Sequence, residues 1–357
     1  MFTNVGIWQL CLRKRYDEIN DTNNTTQTME NNNTLMLLAK KGSYKPIAGT
    51  TTVKVTKVED PEITGHKLPT WLSVSSSCFE VRSHGYLTTK KKIPCPGELY
   101  ECIAVDCFVS NSRVLEIAPR VRFSKEFNTN WKDSKKTWVS PDIFVVSLSI
   151  PTEAPTFGKS SDDGPGATFI GYYKMKEETR AILRRITAVG YDPITDTSDG
   201  VDEGDVQKRI TNGVRLWEKY CQVAPLDPTF QARFKLIPMG NLEELGCPSY
   251  ISKYSGKPVL IKRNQVTGFF YDYPTLNCME FDISLHPFPY LFKQGVAYLK
   301  DYFERTVWTL GFVIEGRCDD ELPEVVIGTM KVCHPNPKFV VNGEDLFDGK
   351  CVATEKS

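Results

Sequence analysis

Eleven cysteines, four histidines and a few carboxylates set inside apolar runs are the side chains of this 357-residue chain that could do chemistry. The cysteines are Cys11, Cys78, Cys95, Cys102, Cys107, Cys221, Cys247, Cys278, Cys318, Cys333 and Cys351. They are odd in number, scattered, and never in a Cys-x-x-Cys pair, so the short-spaced ligand pairs of a zinc site are missing. Cys102 and Cys107 lie in the apolar run Leu99–Val109, where His84 or His286 would have to activate a thiolate. Burial keeps a thiol protonated and inert, so both read as core thiols. His286, between a strand and a proline-rich helix start, reads as a turn residue. Asp106 and Asp282 also sit within apolar runs. A buried carboxylate needs a partner, and Arg82, Arg120 and Arg233 are the expected cations, in structural ion pairs and not a catalytic dyad. Asp319, Asp320, Glu321 and Glu324 gather around Leu322-Pro323. Clustered carboxylates suit calcium, but EF-hand spacing is absent, so the group reads as a solvated turn. Glycine-rich phosphate loops and the G-x-S-x-G elbow are missing. The expectation is a chain without catalytic residues, metal or cofactor.

Binding chemistry is better represented. Phe288, Tyr290, Phe292, Tyr298 and Tyr302 crowd one apolar segment and are the candidate ligand-binding residues: core packing explains most of them, and the roof of a lipid-sized cavity explains them too. Lys90, Lys91 and Lys92 form a basic loop suited to phosphate headgroups, each worth about 1 kcal/mol at an anionic surface; a solvated loop is the equal alternative.

These residues must be held by an α+β fold of mostly antiparallel sheets packed against a few helices. Apolar runs at Leu99–Val109, Ile143–Ile150, Ala167–Met175, Phe234–Pro238, Val259–Lys262, Gly268–Tyr273, Met279–Ser284, Val307–Glu315 and Val325–Val332 read as strands. Ile143–Ile150 and Ala167–Met175 are expected to pair as a hairpin. Helices are expected at Lys176–Val189 and Asp205–Val223, the second with Val206, Ile210, Val214, Trp217 and Cys221 on one stripe. A long apolar helix is expected near residues 288–306, opened by Pro287 or Pro289. Irregular alternation of strands and helices argues against a doubly wound sheet.

Composition bounds the rest. The chain is 40% hydrophobic and 25% charged, with 44 basic and 44 acidic residues. That is ordinary for a globular protein, and zero net charge gives no long-range attraction to nucleic acid. The Asn/Thr-rich stretch 1–40 reads as a disordered tail, 41–68 as an extended arm, 69–337 as the globular domain and 338–357 as a loosely held tail. No apolar run approaches the ~18 residues of a membrane span. Arg13, Lys14 and Arg15 follow the first apolar run instead of preceding it, unlike a secretory signal. Reduced thiols and the missing signal point to the cytoplasm.

Short motifs add a resemblance. They are Phe79-x-Val81-Arg82-Ser83, Tyr86-Leu87, Lys92-x-Pro94, Ala104-Val105-Asp106-x-Phe108, Phe144-x-Val146 and Ile150-Pro151. Arg233 to Pro238, Glu280-x-Asp282-Ile283-Ser284, Glu321-Leu322-Pro323-Glu324 and Gly328 follow. In this order, over Pro69–Pro337, the chain resembles the carboxy-terminal domain family of enhanced disease resistance two. That family's plant members usually carry this domain after pleckstrin-homology and START lipid-binding modules. The pattern departs at Cys107 and at Gly246-Cys247-Pro248, where tryptophan is expected. The first 68 residues are too few to encode the upstream modules. The family brings no catalytic residues to carry over.

The preferred reading is a non-enzymatic lipid- or apolar-ligand-binding domain, docking on membranes through Lys90–Lys92. Its partners would be a lipid or membrane surface or another protein, with no nucleic acid. The alternatives are a protein–protein scaffold with a solid core and an unrecognised enzyme. Pocket volume beneath residues 287–306 separates them.

Overall fold

The apolar runs pair into two six-stranded sheets that face each other. The computed structural model describes residues 44–60, 65, 68–127, 136–156, 162–191, 206–262 and 266–348. The tail expected at 1–40 and the acidic loop at 190–204, apart from its first two residues, lie outside them.

In chain order the strands are β1 (Val53–Lys54), β2 (Thr70–Leu72), β3 (Glu80–Arg82), β4 (Lys92–Pro94), β5 (Tyr100–Ser110), β6 (Ile143–Pro151) and β7 (Gly166–Met175). Then come β8 (Phe234–Gly240), β9 (Val259–Leu260), β10 (Gly268–Tyr273), β11 (Cys278–Ser284), β12 (Val307–Ile314), β13 (Val326–Cys333) and β14 (Val341–Asn342). The first sheet runs β1-β2-β13-β12-β8-β9 and the second β10-β11-β6-β7-β5-β14, with β3 and β4 as a separate hairpin. Pairing is parallel at β1/β2, β6/β11 and β5/β14 and antiparallel elsewhere. The expected β6–β7 hairpin is present, in register from Ile143↔Lys174 to Pro151↔Gly166.

Inward-facing aromatics fix the two sheets to each other. Phe234 of β8 stacks on Phe281 of β11 with ring centres 4.1 Å apart, and Tyr173 of β7 meets Phe312 of β12 edge-on at 6.0 Å. Such pairs add to the burial of their large surfaces. At one corner the sheets are joined directly, since Leu99 N–H reaches the carbonyls of Val326 and Ile327.

Three longer helices follow: α1 (Glu177–Ile186), α2 (Val206–Val223) and α3 (Tyr290–Leu299). The stripe on α2 buries Val214, Trp217 and Cys221, with Tyr220 beside them. Trp217 Nε1–H donates to Tyr100 Oη at 3.0 Å, and that hydroxyl donates to Pro141 O at 2.5 Å. The indole lies edge-on to Phe144 at 5.3 Å. This end of the sandwich is plugged by aromatic rings.

The long apolar helix expected at 288–306 is a correction. Pro289 is extended (φ −56, ψ 150), so the α-helix opens only at Tyr290, and it closes at Leu299. Lys300–Arg305 continues as a 3₁₀ turn in which only Phe303 is buried. Four of those six residues are charged and leave no apolar face to hold an α-helix. Residues 338–348 differ from the expected loosely held tail too. Through β14 and a helical turn at Gly343–Phe347 they pack on β5, where Leu346 is buried and Phe347 lies edge-on to Phe108 at 5.5 Å.

A candidate apolar-ligand site

The end of the sandwich opposite Trp217 is closed by α3 and the 3₁₀ turn, and beneath them lies a cavity of about 460 Å³. Small-molecule sites span ~300–1,000 Å³. The strands supply Leu148, Ile150, Phe169, Leu236, Leu310 and Val332. The roof supplies Phe288, Phe292, Gly295, Val296, Leu299 and Phe303. Leu242, Ile251 and Tyr254 close the side between β8 and β9, and Trp308 lies flat against Gly240. A Cβ on residue 240 would stand 2.8 Å from the Trp308 ring, so only glycine lets the indole lie there. No carboxylate, imidazole, thiol or amine is among the cavity-lining residues. The site can exclude water and hold hydrocarbon, with the hydroxyls of Tyr254 and Ser255 at its side.

Of the candidate ligand-binding residues, Phe288 and Phe292 are in the wall, with their rings 4.8 Å apart. Tyr290 is 38% exposed and its hydroxyl accepts from the Gln294 amide at 2.7 Å. Tyr298 and Tyr302 stack on each other at 5.4 Å without joining the wall. Lys90–Lys92 stand elsewhere. Lys92 pairs with Arg82, whose guanidinium donates to Gly316 O at 3.1 Å, just past the end of β12. The cavity reaches along β12 as far as Leu310, so about 20 Å of chain separates it from Gly316 at 3.3 Å per residue. Lys90 Nζ donates to Leu87 O at 2.7 Å and lies over the Tyr86 ring, a local role. Sequence reasoning missed Leu242, Ile251 and Gly295. A glycine amid helical apolar residues was the legible signal for the last.

The buried acids are held, but not as expected. Asp106 accepts from Gly49 N–H at 2.8 Å and from Thr51 N–H and Oγ1–H at 2.9 and 2.8 Å, with no arginine. Burial pushes its carboxyl up, and those donors work against the rise. Glu280 accepts from Ile117 and Ala118 N–H at 2.6 and 2.8 Å, and Asp282 Oδ2 from Glu116 N–H at 2.9 Å. Burial, then the neighbouring Glu280, raises Asp282 well above the carboxylate range. Its Oδ1 is buried without a hydrogen-bond partner. Backbone N–H groups of arms crossing the sheet replace the cations because they cost no buried guanidinium. Arg120 instead donates to the carbonyls of Leu115 and Glu116.

The solvated acidic turn is corrected in part: Asp319 and Asp320 are exposed as expected, the other two acids are not. Glu321 and Glu324 are buried. Lys219 and Arg233 reach Glu321 at 2.7 and 2.8 Å, and Lys235 Nζ reaches Glu324 at 2.6 Å. Burial alone would raise Glu321; hydrogen bonds from Lys219 and Arg317 N–H and the charge of Arg233 outweigh it and hold the carboxyl at about 2. Lys235 is lowered by burial, opposed by Glu324. Among the described residues no group of three or more His, Cys, Asp or Glu could hold a metal ion. Cys102 and Cys107 are buried, and burial raises both thiols. His286 packs on Gly166, where a Cβ would meet its Nε2 at 3.0 Å, and burial lowers it.

A second cleft of about 770 Å³ lies outside the first sheet, against Lys57, Glu59, Glu244, Glu304, Arg305 and His334. Lys57 and Glu59 pair across its rim at 3.5 Å and are exposed, and exposed pairs contribute little. Among the described residues no helix is long and apolar enough to cross a membrane.

Comparisons with curated proteins and with solved structures find no match. The family profile "Protein ENHANCED DISEASE RESISTANCE 2, C-terminal" matches residues 71–336. That interval takes in both sheets' long strands, the aromatic plug, α3 and the whole cavity wall. The chain therefore belongs to the Enhanced Disease Resistance 2 C-terminal domain family.

Proposed function

We propose that this protein is a non-enzymatic binder of an apolar ligand, a lipid chain or a compact hydrophobic molecule, held between the sheets under α3. One observation carries the reading: a volume of about 460 Å³ lined almost wholly by apolar side chains, with the hydroxyls of Tyr254 and Ser255 as its side-chain polar groups apart from the Trp308 indole and with no carboxylate, imidazole, thiol or amine. A dry apolar cavity prefers hydrocarbon to water. The family is START-like and lipid binding is common in it, which supports the same class of ligand. A solid-core scaffold would leave no such space, and a hydrolase would need polar groups converging on it.

The test is ligand extraction followed by uptake. Protein purified from cells and measured by native mass spectrometry is expected to carry a mass that organic extraction removes. The stripped protein is expected to take up a fluorescent fatty acid with one-to-one stoichiometry. A stripped protein that takes up neither a fatty acid nor a sterol probe ends this reading.

A further inference from the structure

Two of the segments that close the cavity share an electrostatic feature, unlike the adjoining stretches 241–247 and 301–305, which carry Glu243, Glu244, Asp301 and Glu304. Residues 248–262 and 285–300 contain Lys253, Lys257, Lys262, Lys293 and Lys300 and not one aspartate or glutamate, in a chain whose 44 basic and 44 acidic residues balance as a whole. Both segments line the cavity, through Ile251, Tyr254 and Val259 on one side and Phe288, Phe292 and Leu299 on the other. Lys253, Lys257, Lys262 and Lys300 are exposed. Apolar side chains stand out among them: Leu291 is 79% exposed and Tyr254 48%, yet both also line the cavity. Lys253 Nζ lies over the Tyr254 ring at 5.2 Å. These side chains therefore mark where inside meets outside.

We propose that this lysine-rimmed face is the surface by which the protein docks on an anionic lipid bilayer, with Leu291 and Tyr254 entering the headgroup layer and Lys253, Lys257 and Lys293 meeting lipid phosphates. The proposal rests on the apolar-ligand reading, because a ligand drawn from a membrane must cross this rim. A bilayer is favoured over a protein groove because lysines alone flank the exposed apolar tips Tyr254 and Leu291 on their own segments, the pattern of interfacial anchors. It moves the membrane contact to the opposite end of β12 from Lys90–Lys92.

The experiment is co-sedimentation of the full chain with vesicles of phosphatidylcholine, with and without phosphatidylserine. Wild type is expected to bind the phosphatidylserine vesicles, and more weakly as salt rises. The triple variant Lys253→Ala, Lys257→Ala, Lys293→Ala is expected to partition roughly a hundredfold less. Leu291→Asn is expected to weaken binding several-fold while leaving Tm unchanged. Lys90→Ala, Lys91→Ala, Lys92→Ala is expected to bind as wild type. Equal binding by wild type and the rim variant overturns the proposal, as does loss confined to the Lys90–Lys92 variant. A self-associating chain whose dimer is abolished by Leu291→Asn in sedimentation velocity, with no vesicle binding, also overturns it in favour of a second copy. Fatty-acid uptake measured without vesicles keeps the readings apart: uptake without docking sinks only this inference, and docking without uptake sinks only the cavity reading.

Discussion

The two ends of the sandwich are closed by helices of opposite construction. On α2 the inward positions are Val214, Trp217, Tyr220 and Cys221, all fully buried. Their rings run on into Tyr100, Phe144 and Phe234 without a gap. On α3 only Gly295 and Leu299 are buried. Each helix places a glycine against the sheets, and the two glycines do contrary things. A Cβ on Gly213 would lie 2.4 Å from Val325, whose side chain has moved into the space. A Cβ on Gly295 would meet nothing nearer than Ile251 at 3.5 Å. The same architecture is solid or hollow according to whether a neighbour fills the room a glycine leaves.

The solid end should also be the brittle one. Beside the aromatic plug, Lys235 and Glu324 are 3% and 2% exposed and 2.6 Å apart, and Glu324 also accepts from Gly316 N–H at 3.0 Å. Removing one member of a buried pair strands the other charge. Glu324→Ala is therefore expected to lower the unfolding free energy by about 3–5 kcal/mol in urea titration. Lys235→Met with Glu324→Leu is expected to recover much of that loss, since apolar replacements of similar volume spare both desolvation costs. Fatty-acid binding by whatever remains folded is expected to be unchanged. A single variant that unfolds no more easily than the double would mean that the pair is not the tie holding this end.

A smaller effect, tunable by pH, is expected on the outer face of the second sheet. Asp282 has a folded-state pKa raised by burial and by Glu280. Its proton is bound more tightly in the folded chain than in the unfolded one. The stability it contributes is complete below the unfolded carboxyl value, near 4, and is lost as pH rises through the folded value. Asp282→Asn keeps a donor at this position and cannot ionise. It is expected to match wild type at pH 4 and to exceed it by about 1 kcal/mol or more at alkaline pH. Chemical denaturation across that range checks this. Parallel pH profiles for the two proteins would show that Asp282 is ionised in the folded state.

Periodicity made the frame legible, whereas the site depended on details that periodicity does not carry. Runs such as Ile143–Ile150 and Ala167–Met175 place strands because buried strands are continuously apolar and end at proline or glycine, and the stripe Val214-Trp217-Cys221 places α2. Sheet order was not legible, because β6 pairs in parallel with β11, more than a hundred residues away, through contacts that no local pattern encodes. The family motifs proved to be ties: Asp106, Glu280, Asp282, Glu321 and Glu324 hold loops or buried cations. Hence they identify the family and say little about its ligand. Arginine partners were the wrong guess for Asp106 and Asp282, since backbone N–H donors leave no mark in the sequence. Aromatic content pointed at the α3 segment but did not distinguish Phe288 and Phe292, facing in, from Tyr290 and Tyr298, facing out.

Gly295 then offers the smallest change in stability and the clearest division between the two ends. It is the central inward residue of α3, in ordinary helical geometry, and its side-chain direction opens into the cavity past Ile251. Gly295→Leu adds a good helix former, worth about 0.5–1 kcal/mol. It also places four carbons where hydrocarbon would lie. The ligand-free variant is expected to melt at or roughly 2 °C above wild type. Its fatty-acid uptake is expected to fall at least tenfold, with lysine-dependent vesicle binding intact. The corresponding Gly213→Leu on α2 is expected to destabilise strongly, because Val325 already occupies the space. If Gly295→Leu melts well below wild type, the cavity collapses in solution and the hollow end is as tightly packed as the solid one. If it is stable and still takes up ligand, the ligand lies outside the space under α3.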